Sequence, residues 1–175
     1  MYRFAIETLY KWKESKYRKP LIIEGARQVG KTWLMKEFGQ KAYKDTVYIN
    51  FDSNSRMAEL FSMDLNTERL ILGLELYAGR KIDPNTTLLI FDEVQEVPKA
   101  LSSLKYFCED APQYHIICAG SLLGLVTAQR NIISCWKSRF SKALSPIVPR
   151  IFNGYRKRTF CTTTGQQRFF HDHCI

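Results

Sequence analysis

No apolar run in this 175-residue chain approaches the roughly 20 residues that a bilayer crossing needs. The N-terminus carries charges and no apolar h-region, so no secretion signal is expected. The five cysteines show no C-x-x-C spacing, and an odd count without a leader favours reduced thiols. No internal repeat is present. Together these absences argue against a membrane-spanning, disulfide-stapled or solenoid protein and set the expectation of a cytoplasmic one. Acidic residues are scarce in one place only. Residues 1–125 hold 17 Lys/Arg against 16 Asp/Glu, a balance of +1, whereas residues 126–175 hold nine Lys/Arg against Asp172 alone. Nearly all of the formal net charge of +9 therefore sits in the last fifty residues.

What is present is most specific at Gly25-Ala26-Arg27-Gln28-Val29-Gly30-Lys31-Thr32, which fits G-x-x-x-x-G-K-[ST]. It lies between the apolar run Leu21–Ile23 and a helix-like run starting at Trp33, the strand–loop–helix setting of a phosphate-binding loop. Gly25 and Gly30 let the backbone wrap closely around a phosphate. Successive N–H groups then form an anion nest, to which the following helix adds its positive end. Residues Gly25 through Trp33 are thus the expected cradle. Lys31 is expected to reach the β- and γ-phosphates, and the Thr32 hydroxyl to ligate Mg²⁺. Arg27 either touches nucleotide or braces the loop.

A second element is Thr87-Leu88-Leu89-Ile90-Phe91-Asp92-Glu93, an apolar run ending in two acids. An unbroken apolar run suits a strand buried on both faces, and its carboxyl end is where open α/β sheets bind ligands. Asp92 is the expected partner of Thr32 in the Mg²⁺ shell, and Glu93 the expected base that polarises the attacking water. A third run, Tyr114–Ser121, reads as a strand ending in a small polar residue: either Ser121 reaches the γ-phosphate or the attacking water, or Gly120 and Ser121 simply form the turn after a strand. No N-K-x-D element reads guanine in the core, so the motifs name a nucleoside triphosphate and leave the choice between ATP and GTP open.

The rest of the first 125 residues alternates helix and strand. Ala5, Leu9 and Trp12 have helical spacing. Gly39 is the expected stop of the loop helix. Residues Thr46–Phe51 read as strand two. Met57, Leu60 and Phe61 mark a brief helix, and Leu70, Leu74 and Tyr77 a longer one with Asn66 near its start and Gly79 at its end. Asp83-Pro84-Asn85 is a turn. Pro98 opens a helix whose buried stripe is read as Leu101, Leu104 and Cys108, and Asp110-Ala111-Pro112 breaks it. This order predicts an α/β P-loop NTPase fold, a parallel sheet covered by helices on both faces, with an irregular C-terminal tail.

The stretch from Arg18 to Gly124 resembles the family of stand-alone prokaryotic AAA-type P-loop ATPases, in which a second domain follows the ATPase. The resemblance rests on Arg18–Leu34, on Tyr48-Ile49-Asn50-Phe51, on Leu89-Ile90-Phe91-Asp92-Glu93-Val94-Gln95 and on Ala119-Gly120-Ser121-Leu122-Leu123-Gly124. It implies ATP and Mg²⁺ as cofactors, hydrolysis served by Lys31, Glu93 and Ser121, and a metal shell of Thr32 and Asp92. It leaves open a protein partner or self-association.

The family then continues with a phrase like S-F-P-V-G-K-V-x-F-L-x-L-Y-P-L-S-F-x-E-F-L, and this chain does not. Back-translating Arg130–Tyr155 and reading one base later can yield G-I-S-F-P-V-G-K-V-D-F-L-K-L-Y-P-L-S-F-P-E-F-L-M-A. The expectation is therefore an incomplete ATPase domain over residues 1–125 and a basic, out-of-frame tail over 126–175, with weak or no turnover. Two other readings compete: a non-catalytic nucleic-acid-binding module that uses Arg156-Lys157-Arg158 and nearby aromatics, which the core does not support, and an inert pseudogene product. His171-Asp172-His173-Cys174 carries ligand-type side chains but stands without a second ligand group.

Overall fold

The computed structural model describes residues 2–26 and 28–121. The readings made on residues 126–175, namely the out-of-frame tail, the basic patch and the His-Asp-His-Cys run, lie outside the described residues, as does Arg27. Among the described residues, nine helices and strands and one short 3₁₀ turn follow one another in the expected order. They are α1 (Tyr2–Glu14), β1 (Leu21–Gly25), α2 (Lys31–Ala42), β2 (Asp45–Asn50), α3 (Ser55–Met63), α4 (Thr67–Ala78), β3 (Thr87–Asp92), α5 (Pro98–Asp110) and β4 (His115–Ser121), with the 3₁₀ turn at Val94–Glu96.

The four strands form one parallel sheet in the order β1-β4-β3-β2. In β3 every residue is buried, which is why its sequence is an unbroken apolar run. Its alternate side chains feed two separate cores. Leu88 and Ile90 face Leu9, Trp12, Met35 and Phe38 of α1 and α2, joined by Ile117 and Ala119 of β4. Leu89 and Phe91 face Phe61, Leu70, Leu74, Leu104 and Phe107 of α3, α4 and α5, joined by Ile116 and Cys118. Helices therefore cover both faces, as the alternation of elements predicts. On the second face Phe51, Phe61 and Phe91 meet edge to face, with centroids 5.4 to 5.9 Å apart. Burying one such ring is worth about 2–3 kcal/mol, so this trio firmly seats the strand ends that lead to Asp92.

Local chemistry sets most helix ends. The Asn54 and Asn66 side chains accept from the N–H groups of Met57 and Arg69 and cap α3 and α4. Gly79 closes α4 in the left-handed region, and Pro98 opens α5. Two expectations need correction. Gly39 does not stop α2, which runs on to Ala42. A Cβ at Gly39 would stand 2.6 Å from Thr46 Oγ1, so this glycine serves close packing of helix on strand. The buried stripe of α5 passes through Phe107, and Cys108 is only half-buried. Leu70, Leu74 and Tyr77 all lie on α4 as expected; its buried face is formed by Leu70, Ile71 and Leu74, and Tyr77 is 44 % exposed.

Candidate functional site

The carboxyl ends of β1, β4 and β3 meet at one rim of the sheet, and those sequence-predicted site residues that are described gather there. Gly25 ends β1 and is in register with Ser121 at the end of β4. Asp92 ends β3 beside Asn50 of β2. Between β1 and α2 the loop turns through two left-handed residues, Gln28 (φ 62°) and Gly30 (φ 87°). Gly30 is the N-cap of α2 and offers no side-chain cap, in contrast to the asparagine caps of α3 and α4. The helical ladder is under way at Leu34, whose N–H donates to the Gly30 carbonyl at 3.0 Å. The amides of Lys31, Thr32 and Trp33 precede that bond and point out of the helix start, toward the loop. The Trp33 side chain is exposed, so its contribution to a cradle is its backbone N–H. Ala26 and Gln28 are exposed and Val29 is half-buried along the same loop.

Lys31 is only 5 % exposed, and its ammonium donates to the carbonyls of Gly25 (3.1 Å) and Ala26 (2.7 Å). Burying an unpaired ammonium is costly, and these carbonyls pair it at the centre of the loop. The Thr32 hydroxyl donates to Asp92 Oδ2 at 2.6 Å. A residue at the start of α2 thus meets one sixty positions away, as the joint reading of loop and acid pair requires. Asp92 is 3 % exposed, and three donors hold its carboxylate. Thr32 and the Tyr48 hydroxyl (3.0 Å) share Oδ2, and the Glu93 N–H donates to Oδ1 at 3.1 Å. Glu93 has a left-handed backbone (φ 51°), which turns its side chain out of the strand path, and its Oε2 accepts from Gln95 Nε2 at 2.5 Å.

This donor set suits a magnesium ion. Mg²⁺ takes oxygen ligands, usually one or two from protein, and completes its shell with water and phosphate oxygens. Thr32 and Asp92 supply that short oxygen set. Among the described residues no group of three or more His, Cys, Asp or Glu side chains gathers as an all-protein metal cage would.

Sequence reasoning missed Tyr48 and Gln95. Gln95 follows the acid pair directly and was visible as a polar residue after it. Tyr48 lies in the Tyr48–Phe51 stretch that carries the resemblance, but nothing local ties it to Asp92, which it meets only through the parallel pairing of β2 with β3. Burial, followed by the charge of Asp92, a hydrogen bond to it and the charge of Glu93, pushes the Tyr48 phenol well above its ordinary value, so it stays a donor.

A family model described as an AAA domain matches residues 17–134, which takes in the loop, the acid pair and Ser121. No curated protein matches the chain. Among the described residues no helix is long and apolar enough to cross a membrane.

Proposed function

Since the chain belongs to the AAA-domain family of nucleotide-binding ATPases, we propose that it binds ATP with Mg²⁺ at the rim between the phosphate loop and Asp92 and hydrolyses the γ-phosphate. The observation that carries this reading is the Thr32–Asp92 hydrogen bond of 2.6 Å, beside an ammonium held inside a glycine-hinged loop. The amides from Gly25 to Trp33 would cradle the phosphates, and Lys31 would exchange its two carbonyl partners for phosphate oxygens. Thr32 and Asp92 would hold the cation, whose bound charge offsets that of the β- and γ-phosphate oxygens. Glu93 would orient the attacking water and accept its proton, and Ser121, at the end of the neighbouring strand, would contact the γ-phosphate. Arg27 belongs to the same loop and is proposed to touch nucleotide or brace the turn.

Binding and turnover of Mg-ATP by the full chain, by Lys31→Ala and by Glu93→Gln test the assignment. Lys31→Ala is expected to weaken binding by about a hundredfold or more, the worth of charge-assisted hydrogen bonds to phosphate. Glu93→Gln is expected to keep binding and to slow turnover by about 10²- to 10⁴-fold. If both variants bind like the parent, the site lies elsewhere.

A further inference from the structure

The carboxylate of Asp92 is held from three directions before any cation contacts it. Thr32 of α2 and Tyr48 of β2 both donate to Oδ2, which fills both lone pairs of that oxygen. The N–H of Glu93, in the turn after β3, donates to Oδ1. Rotating the carboxylate about its χ2 axis would break all three bonds.

Tyr48 is itself held in place. Its ring is half-buried and packs against the core shared by α1 and α2. The Lys36 ammonium lies over the ring, 3.7 Å from its centroid. Lys36 is one helical turn beyond Thr32, on the same side of α2. One face of α2 therefore presents both a hydroxyl to Asp92 and a cation to the tyrosine that reaches the same oxygen. Tyr48 also lines an open groove of about 430 Å³ with Asn50, Asn54, Arg56 and Tyr77.

We infer that Tyr48 is a positioning residue for the cation site: its hydroxyl, together with that of Thr32, sets the plane in which Asp92 meets Mg²⁺, and Lys36 steadies the phenol. The inference rests on the nucleotide reading above. Outer-shell groups that orient a ligand typically change metal affinity by about 10- to 100-fold when removed. A phenol that only braces the fold would alter stability and leave the metal response alone.

The test is fluorescent ATP-analogue binding by the full chain and by Tyr48→Phe, each measured with EDTA and with Mg²⁺. Tyr48→Phe is expected to match the parent in EDTA and to lose about tenfold of the gain in affinity that Mg²⁺ confers. A Tyr48→Phe variant with the parent's full Mg²⁺ gain overturns the inference. So does one weakened equally in both conditions, since that result marks a structural role. A parent that binds no analogue in either condition overturns the nucleotide reading, and this inference with it. A second measurement needs no loss of the hydroxyl. With 3-fluorotyrosine at position 48, the ¹⁹F resonance of the nucleotide-loaded chain should move when Mg²⁺ replaces EDTA, and a stationary resonance refutes the assignment.

Discussion

Among the described residues, backbone strain is concentrated at the rim that holds the candidate site. Gln28, Ser53 and Glu93 are the non-glycine residues with positive φ among the described residues, and they follow the carboxyl ends of β1, β2 and β3. Each such conformation costs about 1–2 kcal/mol, and all three collect at the rim where open α/β sheets take ligands. Gly30 (φ 87°) belongs to the same rim, whereas Gly79 (φ 67°) closes α4. A Cβ at either glycine would meet nothing within 4 Å, so alanine there carries a backbone penalty alone. Gly30→Ala and Gly79→Ala are both expected to lower stability by about 1–2 kcal/mol in urea unfolding. Only Gly30→Ala should also weaken nucleotide binding. Equal binding by the two variants would remove Gly30 from the cradle. The convergence of Lys31, Thr32 and Asp92 was legible because motif spacing and the end of an apolar run fix them in one dimension. The contact of Tyr48 with Asp92 was not, because it depends on which strand lies next to β3.

The loop helix and its neighbours show how one residue type serves different contacts. Gly39 looked like a terminator because glycine so often ends helices. In the fold it lets α2 approach β2, where a Cβ would meet Thr46 Oγ1 at 2.6 Å and Thr46 Cγ2 at 3.1 Å. Thr46 is β-branched and stiff, so Gly39→Ala is expected to cost about 1–3 kcal/mol through overpacking. At Gly73, inside α4, the three atoms nearest to an added Cβ all belong to the Leu60 side chain, the closest its terminal Cδ1 at 2.4 Å, and this half-buried, flexible side chain can turn aside. Gly73→Ala also gains about 1 kcal/mol of helix propensity, so its thermal midpoint should stay near the parent's. Comparing the two melting curves checks both claims. Periodicity located these helices, the Asn66 cap and the Gly79 stop, because those signals are local. It misassigned Gly39 and Cys108 because their roles depend on the opposing surface.

Taken together, the elements form a parallel sheet whose existence was readable and whose order was not. Unbroken apolar runs announce strands buried on both faces, but β1-β4-β3-β2 follows from long-range pairing that no window of sequence contains. Where α1, α2 and β4 converge, the Tyr43 hydroxyl and His115 Nδ1 share a hydrogen bond of 2.6 Å, with the Trp12 ring at the edge of the imidazole. Burial pushes His115 down to about 4, and the nearby charges of Arg18 and Lys13 add to the effect. The folded value lies below the ordinary one near 6.5, so the unfolded chain binds the proton first as pH falls. Stability from this group is therefore unchanged above about pH 6.5 and declines down to about pH 4. His115→Phe should flatten that part of the parent's pH–stability curve, at the cost of about 1–3 kcal/mol at neutral pH for the stranded Tyr43 hydroxyl. Urea midpoints across the window measure both effects, and an unchanged slope would rule His115 out as the titrating group.

Cys118 lies fully buried in the β4 strand between β1 and β3, and burial pushes its thiol far above the usual range. The sulfur is thereby kept as a neutral thiol that peroxides and electrophiles reach only once that strand has left the sheet. The interior of the fold is in this respect indifferent to the redox climate around it.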